Sequence, residues 1–443
     1  MNATPLLDSV LLGLFRYRTR GFMRMTDCDG TVPPRPQTGG TYLYVHIPFC
    51  EALCPFCSFH RVLHCRPQAK RYFTALRREL GLYHAAGFAF TGVYFGGGTP
   101  TVEPEELLET IALVRARFAV SEISVETNPR DLRPDLLAQL RAGGVTRLSV
   151  GVQSFDDTLL REMGRFEKYG GGEETAERIR GAAGLFPTLN VDLIFNQPHQ
   201  TLASLERDLE IFSSLGAGQV SCYPLMTSPS GLRRLAGAMG VPDRRRLRQF
   251  YQTIGRRLAA GGFSPTSAWC FTRNGHGSDE YIATADNYVG AGSGAFSYLD
   301  GTLYSTSFSL NSYEERIARG LTGIVTRHQL GDTDRMRYAL LVRMFGLGLD
   351  RAWALEHHGR KFFRRLWGEL LTLEVLGAAT RDARGWRLTE KGRYWLMLMM
   401  AEFFESVNAY RDAMRAHVAA EQAAAAPADP LPAVSADSIQ ASA

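Results

Sequence analysis

The chain has 443 residues, of which 45% are hydrophobic. That is enough for a large α/β domain with a smaller companion, and it excludes global disorder. The net charge is +5, and only four of the 50 basic residues are lysine. The arginines are spread along the chain, which argues against a nucleic-acid track; codon bias explains their excess, and arginine also suits carboxylate or phosphate ligands. Seven cysteines in a chain of this size do not make a disulfide scaffold and fit a reduced, cytoplasmic protein. The N-terminal apolar stretch lacks a preceding basic residue and a small-residue cleavage site, so no signal peptide is expected. No apolar run approaches the ~18 residues of a membrane-spanning helix.

In chain order, residues 1–40 read as an irregular segment ending in TVPPRPQTGG. Short apolar strands are then predicted at 41–47, 92–96, 122–127, 145–152, 189–195 and 219–224. Helical periodicity falls between them at 67–86, 104–117, 133–142, 172–184 and 201–214. Buried strands alternating with helices imply a parallel sheet covered on both faces. The expected fold is α/β, a partial (β/α)6 barrel over 41–240. Residues 241–332 open with a basic helix and continue as a glycine- and aromatic-rich extension of the barrel on the substrate side. Residues 333–420 read as helices plus GWRLTEKGRYW, a winged-helix-like α+β module expected to act as a lid. Within it, residues 394–411 are apolar on more than one face, which suits a core helix or a wall of a substrate chamber. Residues 421–443 are a low-complexity tail expected to be disordered.

The chemistry concentrates after the first strand, where Cys50, Cys54 and Cys57 share one short loop. Three thiolates can hold a 4Fe-4S cluster with one iron left open, since such clusters otherwise take four. A zinc site with His60, His64 or Cys65 as fourth ligand is the competing reading. Gly96-Gly97-Gly98-Thr99 ends the second strand, where backbone can approach a ligand closely. Glu126, Gln153 and Asp192 end the third, fourth and fifth strands, the end at which such sheets bind ligands.

The stretch Tyr44-Val-His-Ile-Pro-Phe-Cys50, with its two further cysteines, resembles the oxygen-independent coproporphyrinogen III oxidase and heme-chaperone family of radical S-adenosylmethionine (SAM) proteins. The resemblance implies a 4Fe-4S cluster on Cys50, Cys54 and Cys57, and SAM at its open iron. It places Tyr44 and the carbonyls of Gly96, Gly97, Gly98 and Thr99 against the methionyl part. Glu126 and Asp192 fall to ribose or amino contacts. Arg165, twelve residues after Gln153, joins it in gripping the carboxylate, a contact suited to arginine's paired donors. The implied function is reductive cleavage of SAM, with a reductant such as flavodoxin or ferredoxin, acting on a large unsaturated substrate such as a tetrapyrrole.

The pattern also departs from that family. The oxidases carry a fourth cysteine two residues after the third, where this chain has Phe59. Asn196-Gln197-Pro198 replaces a Gly-Leu-Pro. The chaperones' His-Asn-Leu motif has only His276-Gly277-Ser278 as its nearest match, and their later glycine-rich stretch ends in histidine where this chain has Phe296. Besides the oxidase-like reading, radical methyl transfer or cyclopropane formation with two SAM molecules, and heme trafficking, remain open.

Overall fold

The computed structural model describes residues 5–37, 39–273 and 285–425. The N-terminal segment is not irregular throughout. It forms α1 (Pro5–Thr19) and a two-residue strand β1 (Thr26–Asp27). Then comes the alternating region: β2 (Thr41–Ile47), α2 (Arg66–Ala85), β3 (Gly92–Gly97), α3 (Pro104–Arg117), β4 (Glu122–Thr127) and α4 (Pro134–Ala142). It continues as β5 (Arg147–Gln153), α5 (Gly172–Ala182), β6 (Thr188–Phe195), α6 (Leu202–Ser213) and β7 (Gln219–Pro224). Proline opens α2, α3 and α4, where its missing N–H costs nothing. Thr201 and Ser204 form a reciprocal capping box on α6, satisfying donors the first turn cannot.

After α7 (Leu247–Ala260) come β8 (Ser264–Pro265), β9 (Cys270–Thr272), β10 (Asn287–Ala291), β11 (Phe296–Leu299), β12 (Thr302–Thr306) and β13 (Ile324–Gln329). All belong to one 13-stranded sheet, ordered β1-β13-β12-β11-β10-β2-β3-β4-β5-β6-β7-β9-β8. The run from β10 to β7 is parallel. Both flanks are antiparallel. The six expected parallel strands are thus joined by a seventh. β10 pairs along the outer side of β2, with Asn287 opposite Thr41 and Ala291 opposite Val45. β3 is buried along its whole length, as a strand covered on both faces must be.

The C-terminal region starts with α8 (Asp332–Phe345) and carries a three-stranded antiparallel sheet of Gly348–Asp350, Gly385–Leu388 and Ala379–Arg381. It ends in the 36-residue α9 (Glu390–Ala425). Tyr394, Trp395, Leu396, Met397 and Met400 at its start are buried. The helix runs on through the alanines expected to begin the tail, alanine being the strongest helix former. Residues 426–443 and His276 lie outside the described residues. α1 is held by α9 and α7: Asp8 accepts from Trp395 Nε1 of α9 at 2.9 Å and from Arg248 Nη2 of α7 at 2.7 Å, and Arg16 donates to Glu402 of α9 at 2.7 Å. No helix of the described residues is long and apolar enough to cross a membrane.

Candidate active site

At the C-terminal ends of the parallel strands lies a cavity of about 350 Å³. Cys50, Cys54 and Cys57 line it together with Tyr44, Gly97, Gly98, Thr99, Glu126, Gln153, Arg165 and Asp192. Of the residues assigned to the cluster and SAM, Gly96 is the one set back from the cavity, beneath the Glu126 carboxylate.

The cysteine loop is held by backbone contacts. Arg61 Nη2 donates to the carbonyls of Cys54 and Cys57, the latter at 2.8 Å. Lys168 Nζ donates to Ala52 O at 3.1 Å. Gly98 N donates to Ile47 O at 2.7 Å and Thr99 N to Phe49 O at 2.8 Å. A Cβ on Gly98 would lie 2.6 Å from Phe49 O, and Gly97 has φ +115° against the His46 ring. Gly98 therefore admits the backbone that leads into the cysteine loop, and Gly97 admits the His46 ring. Thr99 Oγ1 lies 3.6 Å from Cys50 Sγ, and Arg165 Nη1 3.9 Å from Cys54 Sγ. Burial, then the neighbouring Cys57, push the Cys50 thiol up to about 11. A free thiolate is disfavoured there unless a metal takes its charge.

The strand-end groups are fixed before any ligand arrives. Glu126 Oε1 accepts from Tyr94 OH at 2.9 Å and its Oε2 from Gly97 N at 3.0 Å. Asp192 accepts from Ser149 Oγ at 3.0 Å and Asn190 Nδ2 at 2.8 Å. Gln153 has φ 76° at an irregularity in the β5–β6 register. A left-handed non-glycine residue at a strand end is strained in a way that clusters at binding sites. Arg165 is buried, donates to Gly151 O and to Asn128 Oδ1, and lies over the Tyr169 ring. His46 Nε2 lies 2.8 Å from the His60 carbonyl, so that nitrogen carries the hydrogen and Nδ1 accepts from Tyr44 OH at 2.9 Å. Burial holds His46 down at about 4, neutral at ordinary pH.

The other end of the cavity is apolar. Phe296 and Tyr288 of the sheet extension, Met226 and Trp269 face Phe403, Phe404 and Val407 of α9. The spacing 403/404, 407/408 and 411 puts these residues on one helix face. Residues 394–400 of α9 thus belong to the core, whereas the next turns wall the chamber. Sequence reasoning missed Arg61 and Asn128 at the cysteine end of the cavity and Arg411 on the α9 wall. Asn128 carried a signal, a polar residue at a strand end. Arg411 carried none, because its stretch reads as an apolar helix.

The radical SAM superfamily model matches residues 44–212. The chain is 32% identical over 383 residues to a heme chaperone of Mycobacterium tuberculosis, covering 79% of this chain and 97% of that one. It is 32% identical over 275 residues to a heme chaperone of Bacillus subtilis, covering 58% and 71%. This chain belongs to the heme-chaperone and coproporphyrinogen oxidase family of radical SAM proteins. An oxygen-independent coproporphyrinogen III oxidase of Pseudomonas aeruginosa is 26% identical over 410 residues, covering 83% of this chain and 87% of that one. In fold, the chain resembles the coproporphyrinogen III oxidase of Escherichia coli, with a TM-score of 0.69 at 24% identity over 84% of this chain and 91% of that one.

Radical SAM proteins use a 4Fe-4S cluster and SAM. The donor set fits them. In a cluster each thiolate binds a different iron, so the three sulfurs need only surround a common volume. A single zinc ion needs its ligands at one point, and no three His, Cys, Asp or Glu side chains converge so among the described residues. Of the residues that could complete a zinc site, His60 Nε2 pairs with Ser293 Oγ at 3.1 Å, His64 Nε2 with Glu103 at 2.7 Å, and Cys65 is exposed ahead of α2.

Proposed function

We propose that this radical SAM enzyme cleaves SAM reductively and acts on a large, flat, unsaturated substrate, a tetrapyrrole being the favoured class. The observation carrying this reading is that one cavity has two chemically different ends, a cysteine and strand-end polar set facing an apolar wall from α9. A 4Fe-4S cluster held by Cys50, Cys54 and Cys57 would supply the electron for reductive cleavage of SAM. The protein's own tasks are to hold, orient and enclose. Cys50, Cys54 and Cys57 would hold the cluster through their three thiolates. Arg165 and Gln153 grip the SAM carboxylate, the glycine-rich turn accepts from its ammonium, and Glu126 and Asp192 accept from its hydroxyls. The aromatic side chains of α9 and the sheet extension receive a planar substrate by offset or edge contact and keep water from the reacting atoms. A flavodoxin or ferredoxin is the expected electron donor.

Relatives named as heme chaperones and as coproporphyrinogen III oxidases support tetrapyrrole chemistry in common. Phe59, in place of the oxidases' fourth cysteine, favours a second reading, heme handling with little turnover. Anaerobic reconstitution, reduction and incubation with coproporphyrinogen or heme separates these. Release of 5′-deoxyadenosine with a mass change in the tetrapyrrole is expected, and Cys54→Ala should abolish both. S-adenosylhomocysteine beside 5′-deoxyadenosine would point to methyl transfer, and tight heme binding with neither product to the chaperone. Zinc without iron in anaerobically purified protein would overturn all three.

A further inference from the structure

Gln153 and Arg165 stand twelve positions apart, and a buried carboxylate on a different element ties both in place. Asp208 of α6 is 2% exposed. Its Oδ1 accepts from Phe155 N at 2.8 Å and its Oδ2 from Ser154 Oγ at 2.8 Å. Ser154 is fully buried, directly follows Gln153, and accepts from Asp156 N at 3.0 Å. Asp156 in turn caps the short helix Asp157–Glu162, accepting from Thr158 N and Leu159 N. The end of that helix fixes Arg165, whose N donates to Leu160 O at 2.8 Å. Gln153 and Arg165 line the cavity, and Asp208 is not among the residues that do.

Burial pushes the Asp208 carboxyl up to about 7, while the bonds from Phe155 N and Ser154 Oγ pull it down. Both donors are neutral, so they offset only part of the cost of burying a charge. An apolar residue would hold α6 against the sheet without that cost. It could not accept from the hydroxyl and the backbone N–H that immediately follow a left-handed residue. Gln153, with φ 76°, keeps a conformation that persists only where the surroundings over-determine it. The two bonds to Asp208 are made by the next two residues. We propose that Asp208 is a positioning residue for SAM. It holds Gln153 in its left-handed conformation and, through Ser154, Asp156 and the short helix, sets the place of Arg165. The proposal rests on the assignment of Gln153 and Arg165 to the SAM carboxylate.

The test uses full-length, cluster-loaded protein and two probes, SAM and decarboxylated SAM, each titrated calorimetrically without oxygen. Asp208→Asn keeps the side chain's volume and an acceptor for Phe155 N. It presents a donor to Ser154 Oγ, which already accepts from Asp156 N. This variant should weaken SAM by about twofold to tenfold, the range for one buried hydrogen bond, and leave decarboxylated SAM unchanged. Ser154→Ala removes the same contact from the other side and should act in the same direction. In an Arg165→Ala background Asp208→Asn should have a smaller effect, because the two side chains serve one contact. An Asp208→Asn protein that keeps its iron and binds SAM as tightly as wild type overturns the proposal. So does equal weakening of both probes, since that marks a residue of the fold alone. Arg165→Ala and Gln153→Ala separate this inference from the assignment beneath it. If they weaken both probes alike, the carboxylate assignment falls and the proposal with it. If they weaken SAM selectively and Asp208→Asn does not, the assignment stands and Asp208 has no positioning role.

Discussion

Arg165 and Cys50 are joined through two intervening side chains. Arg165 Nη2 donates to Asn128 Oδ1 at 3.1 Å, Asn128 Nδ2 donates to Thr99 Oγ1 at 2.8 Å, and Thr99 Oγ1 approaches Cys50 Sγ at 3.6 Å. The group assigned to the cofactor's carboxylate is thereby positioned by the same network that touches a cluster cysteine. Asn128→Ala should leave the iron content intact, because no cysteine is removed. It should weaken SAM binding by about 1 kcal/mol through loss of one buried hydrogen-bonded partner. Calorimetric titration of SAM into anaerobic protein checks this, and unchanged affinity would show that Asn128 has no positioning role.

Arg165→Ala should cost more, roughly 1.5–3 kcal/mol of SAM affinity, as befits a hydrogen bond between charged groups. Combined with Asn128→Ala, the loss should be less than the sum, since the two side chains share one network. Lost substrate binding with normal SAM affinity would assign Arg165 to the other ligand.

The last helix is more than a cover. Arg415 Nη1 donates to Phe59 O at 2.9 Å and Ser58 O at 3.3 Å, directly after the third cysteine. Asp412 accepts from Ser228 and Ser230. Truncation after about residue 330 removes these contacts together with the chamber wall, so the truncated protein should bind its cluster poorly. Arg415→Ala isolates the loop contact. It should shorten the lifetime of the cluster in air, read as decay of its visible absorption, with little change in unfolding temperature. Full cluster stability in the truncated chain would restore the picture of a separable lid.

His46 makes a pH prediction. Burial holds its folded value at about 4, against an ordinary 6.5. Its contribution is therefore complete above pH 6.5 and is lost as pH falls toward 4, because only the unfolded chain then takes up the proton. Near pH 5 the loss should be about 2 kcal/mol. Urea unfolding of cluster-free protein at pH 7.5 and 5 tests this. His46→Gln, which can still donate to His60 O and accept from Tyr44, should show a flatter pH dependence. Equal slopes would exclude His46 as the source.

Much of the polar end of the site was legible because each parallel strand spells itself as an apolar run ending in one polar residue. Glu126, Gln153 and Asp192 stood out for that reason, as did the cysteines by their spacing. The seventh parallel strand was not legible. Asn287–Ala291 is short and glycine-interrupted, and its strand identity comes from pairing with β2 rather than from local propensity. α1 was missed because its amphipathic face has meaning only against α9. Arg411 and Arg415 were hidden by distance in sequence: their partners, Phe59 and Ser58, lie at the other end of the chain.

The position of β2 bears on how the protein is made. This strand carries Tyr44 and leads straight into the cysteine loop, yet one of its two sheet neighbours is β10, and the loop is finally covered by α9. On a ribosome the three thiols emerge long before the segments that bury them. Joining ends so far apart is slow, since the loop must be closed before its contacts repay the lost freedom. Nascent chains therefore pass through a stage in which the cysteines are synthesised, unprotected and open to oxidation. Insertion of iron and sulfide is best timed to that stage, before β10 and α9 close over the loop.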